Sequence, residues 1–157
     1  MQRIDTVLLD RVSQEAKDSS RLRMNYNFHA SPTESMQRML NAFEPGTYLS
    51  PHRHPDRAEI FIIFRGRMVL LIFDDLGTII DRVLLCAEEG SYGVEIPPMT
   101  WHTLFIAESN TVMYELKRGP YEPLAEEHFA PWAPRVDDVE KINDYLKKLE
   151  SQVNDIV

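Results

Sequence analysis

Two histidines separated by one residue, His52 and His54, precede a glutamate, Glu59. In an extended strand, side chains alternate between the two faces, so both imidazoles point the same way. Pro55 and Asp56 favour a turn that brings Glu59 back toward them from a neighbouring strand. Imidazole nitrogens and a carboxylate oxygen that converge on one point are typical ligands of Zn, Fe, Mn, Ni or Cu. The spacing therefore predicts a metal site.

A further candidate ligand, His102, lies where a proline-rich turn, Pro97 and Pro98, opens a predicted strand. A single histidine at such a position is more often structural than a ligand, but beside the first motif it is the natural fourth partner. Three neutral imidazoles and one carboxylate leave a divalent ion with a single net positive charge and with open positions for water or substrate. We expect one divalent transition metal ion per chain, and the ligand types leave Fe, Mn, Zn and Ni open.

The elements that position these ligands belong to one predicted domain, residues 1–157. Apolar residues make up 43% of the chain, and its net charge of −8 argues against a nucleic-acid or anionic-membrane surface. No apolar stretch is long enough for a membrane span. The first residues lack the apolar core of a signal peptide, and the single cysteine, Cys86, fits a reducing compartment. We therefore expect a cytoplasmic protein.

Short predicted strands with turn residues between them occupy a core at about residues 36–118. Such regular spacing is typical of an all-β sandwich or barrel. Residues 60–64 and 68–73 are apolar on both faces, so we expect cover on both sides, from the second sheet, a terminal segment or another subunit. The predicted strands are 36–43, 48–54, 59–65, 67–73, 78–85, 92–96, 102–106 and 111–117.

The terminal regions differ from this core. Residues 5–18 favour a short amphipathic helix, and residues 20–35 are predicted to be irregular. Residues 119–135 are rich in proline and predict a strap over the barrel. Asp137 and Glu140 resemble a capping box that opens a helix over 137–155. Its apolar seam can pack on the chain's own barrel or form a subunit contact.

Two other side chains are candidates for a substrate pocket. Tyr48 shares the strand parity of His52 and His54, so it is expected to face the barrel interior. Arg38 and Asn41 have opposite parity, so at most one of them points inward on a regular strand. A buried Arg38 would need an anionic partner, such as a substrate carboxylate or phosphate. The alternative is a surface or interface arginine.

Residues 46–66 resemble the first sequence motif of the cupin superfamily, with the glycines, both histidines and the glutamate at every defining position. The resemblance implies an all-β cupin double-stranded β-helix barrel, jelly-roll-like, with a short N-terminal helix and a C-terminal helix. It also implies a metal ion bound by His52, His54, Glu59 and His102.

Residues 91–106 resemble the second cupin motif less completely. Pro97 and His102 match, whereas Ser91 and Met99 replace the usual glycines and Ile106 replaces a common asparagine. Met99 affects the expected geometry of the turn rather than the identity of the ligand.

A narrower resemblance spans roughly residues 22–136 and involves segments 37–42, 44–48, 117–121 and 129–134. These segments look like the WbuC family of cupin-fold metalloproteins. That family implies a bacterial protein often encoded among genes for O-antigen or other surface-polysaccharide synthesis, and it supplies no reaction.

Three functions are consistent with these observations. The first is a metal-dependent enzyme, of isomerase, lyase or oxygenase type, that acts on a small molecule such as a sugar or sugar nucleotide. The second is a non-catalytic metal- or sugar-binding accessory or regulatory module. The third, a metal-free epimerase, is disfavoured because the complete ligand set would then have no use. We expect a small-molecule ligand, a homodimer, and neither a nucleic-acid nor a membrane partner.

Overall fold

Two antiparallel β-sheets make up most of the chain in this computed structural model, which describes residues 1–157. The strand order is β1-β2-β8-β3-β6 in the five-stranded sheet and β5-β4-β7 in the three-stranded sheet. The predicted all-β barrel with a helix near each end is confirmed. The elements are α1 (Thr6–Asp18), β1 (Arg23–Asn27), β2 (Met36–Phe43), β3 (Glu59–Arg65), β4 (Met68–Phe73), β5 (Ile79–Leu85), β6 (Gly93–Ile96), β7 (Trp101–Ile106), β8 (Thr111–Arg118) and α2 (Val139–Ser151).

The main core lies between the two sheets. Phe61 and Ile63 of β3 pack there with Leu70 of β4 and Leu104 of β7, and all four side chains are buried. Alternation along each strand sends every second side chain into this layer and leaves the others on the outer faces. Both sheets therefore have an outer face that needs cover.

Helix α1 covers part of the outer face of the five-stranded sheet. Val12 and Ala16 of α1 are fully buried against Leu40 and Ala42 of β2 and Val112 of β8. The helix begins after Asp5, whose side chain accepts a hydrogen bond from the Leu8 amide at 3.1 Å.

Helix α2 packs on the outer face of the three-stranded sheet of its own chain. Leu149 and Val153 are buried with Val69 and Leu71 of β4 and with Trp101. Of the two arrangements that the sequence left open, the structure shows packing on the chain's own barrel. Neither α1 nor α2 has the length and apolar character that crossing a membrane requires.

The start of α2 corrects the predicted capping box. Asp138, and not Asp137, is the N-terminal cap, because its carboxylate accepts from the Lys141 amide at 3.2 Å. The helix ends at Ser151, ahead of the predicted boundary.

Two other predictions of secondary structure were wrong. Residues 48–54 do not form a strand: only His52 makes isolated bridges, to His102 and Phe129. Pro51 has no amide hydrogen, so a continuous ladder is interrupted beside it. Conversely, β1 lies in the region expected to be irregular, where pairing with β2 outweighs the weak strand propensity of Asn25 and Asn27.

Candidate metal centre

The histidine segment is held against β7 by backbone hydrogen bonds. The His52 amide donates to the His102 carbonyl at 3.0 Å, and the His102 amide donates back to the His52 carbonyl at 2.9 Å. Glu59 is the first residue of β3, in the opposite sheet. The cluster thus takes candidate ligands from both sheets. The pair of backbone hydrogen bonds fixes His52 and His102 relative to each other.

The structure brings three of the four predicted ligands into one cluster and places the fourth, His54, beside Glu59. His52, Glu59 and His102 each offer a ligand atom, and these atoms lie within 4.8 Å of one another. Nε2 of His54 is 3.1 Å from Oε1 of Glu59, and Nε2 of His102 is 3.0 Å from Oε2. The carboxylate of Glu59 is therefore the centre of the cluster.

Backbone carbonyls determine which nitrogen of two of these rings carries the proton. Nδ1 of His52 lies 3.0 Å from the Ser50 carbonyl, and Nδ1 of His102 lies 2.9 Å from the Thr100 carbonyl. A carbonyl only accepts, so each Nδ1 is the donor and each Nε2 has a free lone pair. This is the arrangement in which metal-bound histidines are commonly held.

The buried ligand atoms have no hydrogen bonds despite their closeness. Nε2 of His54, Nε2 of His102 and Oε2 of Glu59 are all shielded from solvent and without a hydrogen-bond partner. A lone pair of His102 facing a carboxylate oxygen is repulsive unless a cation lies between them. The donor set and its unsatisfied atoms therefore fit a divalent metal ion.

Charge states at the centre favour binding. Burial and the neighbouring His102 ring lower the pKa of His52 to about 3, so its imidazole is neutral at physiological pH. Burial alone would raise the pKa of Glu59, but the adjacent positive charge of Lys117 lowers it, so the carboxylate stays ionised. A neutral His52 imidazole and an ionised Glu59 carboxylate can bind a metal ion without first losing a proton.

A charged pair on β8 extends the cluster. Lys117 lies directly opposite Glu59 across the β3–β8 ladder, with its Nζ 3.0 Å from Oε1 of Glu59 and 2.6 Å from Oε1 of Glu115. Asn41 donates to the other oxygen of Glu115 at 2.7 Å. Our reading of the sequence missed this pair. Strand parity was the available signal, because Glu115 and Lys117 share a face with the buried Met113.

The surroundings set the charge of this pair. Burial would lower the pKa of Lys117, but Glu115 and Glu59 raise it, so the ammonium stays protonated. Burial raises the pKa of Glu115, and the attraction of Lys117 opposes that rise without overcoming it. The ammonium of Lys117 thus neutralises the Glu59 carboxylate at Oε1, the oxygen that also faces His54.

A cavity of about 230 Å³ adjoins the centre. His52 and His102 line it beside Lys117, and apolar side chains such as Phe61 and Met113 form other parts of its wall. The volume is below the roughly 300–1,000 Å³ of drug-sized ligand pockets. The centre therefore meets a space suited to a small molecule.

Residues 4–85 match a protein family described as a domain of unknown function, DUF6016. This chain belongs to the DUF6016 family. No curated protein matches it.

Solved structures resemble this DUF6016 protein in fold. KdgF from Halomonas sp. aligns with a TM-score of 0.50 and 15% identity over 64% of this chain and 82% of its own. A cupin 2 domain-containing protein from Halorhodospira halophila aligns with a TM-score of 0.50 and 16% identity, over 80% of this chain and 81% of its own. CapF, solved with the inhibitor 3-isopropenyl-tropolone, aligns with 0.52 and 21% over 63% of this chain but only 29% of that one. These likenesses show a cupin fold.

The two predicted pocket residues of this DUF6016 protein lie away from the cavity. The Tyr48 hydroxyl donates to the Pro134 carbonyl at 2.6 Å, and its ring packs edge-on against Tyr145. Arg38 pairs with Glu34 at 2.8 Å on the outer surface. Of the residues with opposite parity on β2, Asn41 is the one that lines the cavity.

The second motif keeps its turn despite Met99. Its φ of +63° is the left-handed conformation that the usual glycine adopts without strain. The Met99 amide donates to the His54 carbonyl at 2.7 Å, so the turn supports a predicted ligand. Gly66 of the first motif also has a positive φ, and any side chain there would clash with Thr111, because its Cβ would lie 2.3 Å from Oγ1 of Thr111.

Proposed function

We propose that this protein is a metal-dependent cupin enzyme, a single domain that holds one divalent transition metal ion and acts on a small molecule in the adjoining cavity. The observation that carries the proposal is the set of buried ligand atoms that face one another without hydrogen bonds. Surface histidines and acids would be hydrated and would not need this arrangement. The proposed ligands are His52, His54, Glu59 and His102.

Each part of the centre has a defined task. A divalent ion bound there supplies Lewis-acid chemistry, or redox chemistry if it is iron. The carbonyls of Ser50 and Thr100 orient two imidazoles, and Lys117 orients the Glu59 carboxylate and keeps it ionised. The apolar wall excludes water and strengthens electrostatic contacts with a bound molecule.

A role in bacterial surface-polysaccharide synthesis, such as O-antigen synthesis, is the finer part of the proposal. It is supported by the resemblance of segments 37–42, 44–48, 117–121 and 129–134 to the WbuC family. The cavity of about 230 Å³ favours a monosaccharide or a small acid over a whole sugar nucleotide. The single cysteine, Cys86, is buried and unpaired, which supports a cytoplasmic location.

A homodimer is also part of the proposal. Ile60, Ile62 and Phe64 of β3 form an apolar row on the outer face of the five-stranded sheet, each 37–39% exposed. Helix α1 covers β2 and β8 but has no comparable contact with β3. The expected cover on this face is thus incomplete in one chain, and a second copy would complete it.

Elemental analysis of protein purified without added metal tests the centre. We expect about one equivalent of a transition metal per chain, and less than about 0.1 equivalent after His52→Ala, because one ligand of a small set is lost. His29→Ala is the matched control, since His29 lies outside the cluster and its ring forms hydrogen bonds only with the backbone of Arg38 on β2. Wild-type protein without metal would overturn the proposal.

The enzymatic part is tested separately with the metal-loaded protein. Candidate monosaccharides and sugar acids are incubated with it and followed by NMR, with the His52→Ala variant as the control. Turnover that depends on His52 supports an enzyme. Saturable binding without turnover would instead support the accessory-module function.

A further inference from the structure

Two arginines beside the metal centre lack an acidic partner. Most arginines of the chain form ion pairs, whereas Arg3, Arg21 and Arg23 do not. Arg21 and Arg23 both line the cavity next to the metal cluster, and Arg3 does not. In a chain with net charge −8, acidic partners are abundant, so the absence of such partners for two arginines of one cavity needs an explanation.

Arg23 is placed there by the sheet. It is the first residue of β1, pairs with Phe43 of β2, and has a half-buried side chain. Its Nη1 donates to the Tyr48 carbonyl, and its other guanidinium N–H groups form no hydrogen bond within the chain. A guanidinium has five N–H donors in a planar fork, so most of its binding capacity is free.

The electrostatic environment of Arg23 is unfavourable without an anion. Burial and the neighbouring charge of Arg21 lower the pKa of Arg23. Glu115 is the one acidic residue that lines the cavity, and its oxygens are already bound by Lys117 and Asn41. The cavity therefore has an excess of positive charge that a bound anion would compensate.

We propose that the cavity takes a small carboxylate-bearing molecule, with Arg23 binding the carboxylate and the metal cluster at His52 and His102 binding the other end. This inference rests on the proposed function for the metal end only. The planar fork of Arg23 matches the two oxygens of a carboxylate. Neither α-helix contributes a residue to the cavity lining, so the helix N-terminus that commonly binds phosphate is missing there. Arg21 is exposed, so its positive charge attracts the carboxylate from the solvent side of the cavity.

Calorimetric titration with dicarboxylates tests this inference. Malonate, succinate and glutarate are titrated at low salt into the zinc-loaded full-length protein, each beside its neutral diamide. We expect at least one of these acids to bind with a Kd of about 1 mM or tighter, and its diamide at least about tenfold more weakly. Arg23→Gln should weaken binding of the acid about tenfold or more, and Arg23→Lys should weaken it less, because charge is kept and the fork is lost.

Controls separate this inference from the metal proposal. Arg3→Gln removes the same charge at an unpaired arginine outside the cavity, so acid binding should be unchanged. If zinc binds but no acid is preferred over its diamide, or Arg23→Gln has no effect, the inference is overturned and the metal proposal stands. If zinc does not bind but an acid still binds through Arg23, the metal proposal fails together with the metal end of the inference, and the assignment of the carboxylate to Arg23 stands. Preference for inorganic phosphate through Arg23 would overturn the assignment to carboxylates.

Discussion

The two faces of the five-stranded sheet are built from the same strands but have opposite chemistry. The inner face presents the buried carboxylate of Glu59 on β3 in contact with the half-buried ammonium of Lys117 on β8. The outer face presents Ile60 and Leu116, the next residue of β3 and the preceding residue of β8, which form a cross-strand pair. A shift of one residue thus separates a candidate reaction centre from a packing surface.

The outer face contributes mainly to the stability of the fold, and the inner face holds the groups of the candidate metal centre. Apolar burial beneath α1 stabilises the fold without any directional requirement. The inner charges are desolvated, so they are tolerated only while each has its partner. We therefore expect substitutions on the inner face to depend on metal loading and substitutions on the outer face to be independent of it.

The largest effect is expected from Lys117→Met. The change leaves Glu59 and Glu115 buried without their shared cation, which should lower the free energy of unfolding of the metal-free protein by about 3–5 kcal/mol. Bound metal supplies a replacement positive charge beside Glu59, so the loss should be smaller in the zinc-loaded protein. Urea denaturation with and without zinc measures both values.

Lys147→Met is the matched control, because Lys147 is exposed on α2 and its pair with Asp144 is 3.8 Å long. It should change the free energy of unfolding by less than about 0.5 kcal/mol in both states. An equal loss for Lys117→Met with and without zinc would contradict the coupling between this pair and the metal centre.

A somewhat smaller effect is expected on the covered part of the outer face. Leu40 is fully buried between β2 and α1, so Leu40→Ala should cost about 2–4 kcal/mol through lost burial and a residual cavity. The loss should be the same with and without zinc, as measured by urea denaturation. Leu76→Ala is the control, since that side chain is 85% exposed and should be nearly neutral. If the loss of unfolding free energy in Leu40→Ala depended on zinc, the two faces of the sheet would not differ in their coupling to the metal centre.

Much of the centre was predictable from local spacing. His52, His54 and Glu59 lie close together in the sequence, and His102 follows its own turn motif, so short-range patterns point to the four residues that the structure places near one another. The apolar residues on both faces of 60–64 and 68–73 likewise indicated that both sides need cover, which α2 supplies over β4. These patterns involve residues that are close together along the chain, so they can be recognised before the fold is known.

The missed features depend on contacts between distant residues. Asn41 and Glu115 are 74 positions apart and meet only because β2 pairs with β8. The prediction that an inward arginine would need an anionic partner was applied to Arg38, whereas the structure places Arg23 at the cavity and Arg38 outside it. The pairing of distant strands decides such cases, and short-range spacing along the chain does not reveal it.

The smallest effect on folding, and the sharpest test of the outer face, is expected from Ile62→Asp. Ile62 lies at the centre of the uncovered row on β3 and is 37% exposed, so a charge there should lower monomer stability by about 1 kcal/mol. In a dimer joined through this row, the same carboxylate would be buried without a partner, so the variant should sediment as a monomer while the wild type sediments as a dimer. Ile80→Asp on β5 is the control, since that side chain is 63% exposed on the other sheet and should leave the dimer intact. A monomeric wild type, or a variant that stays dimeric, would show that the apolar row of β3 is not the subunit contact.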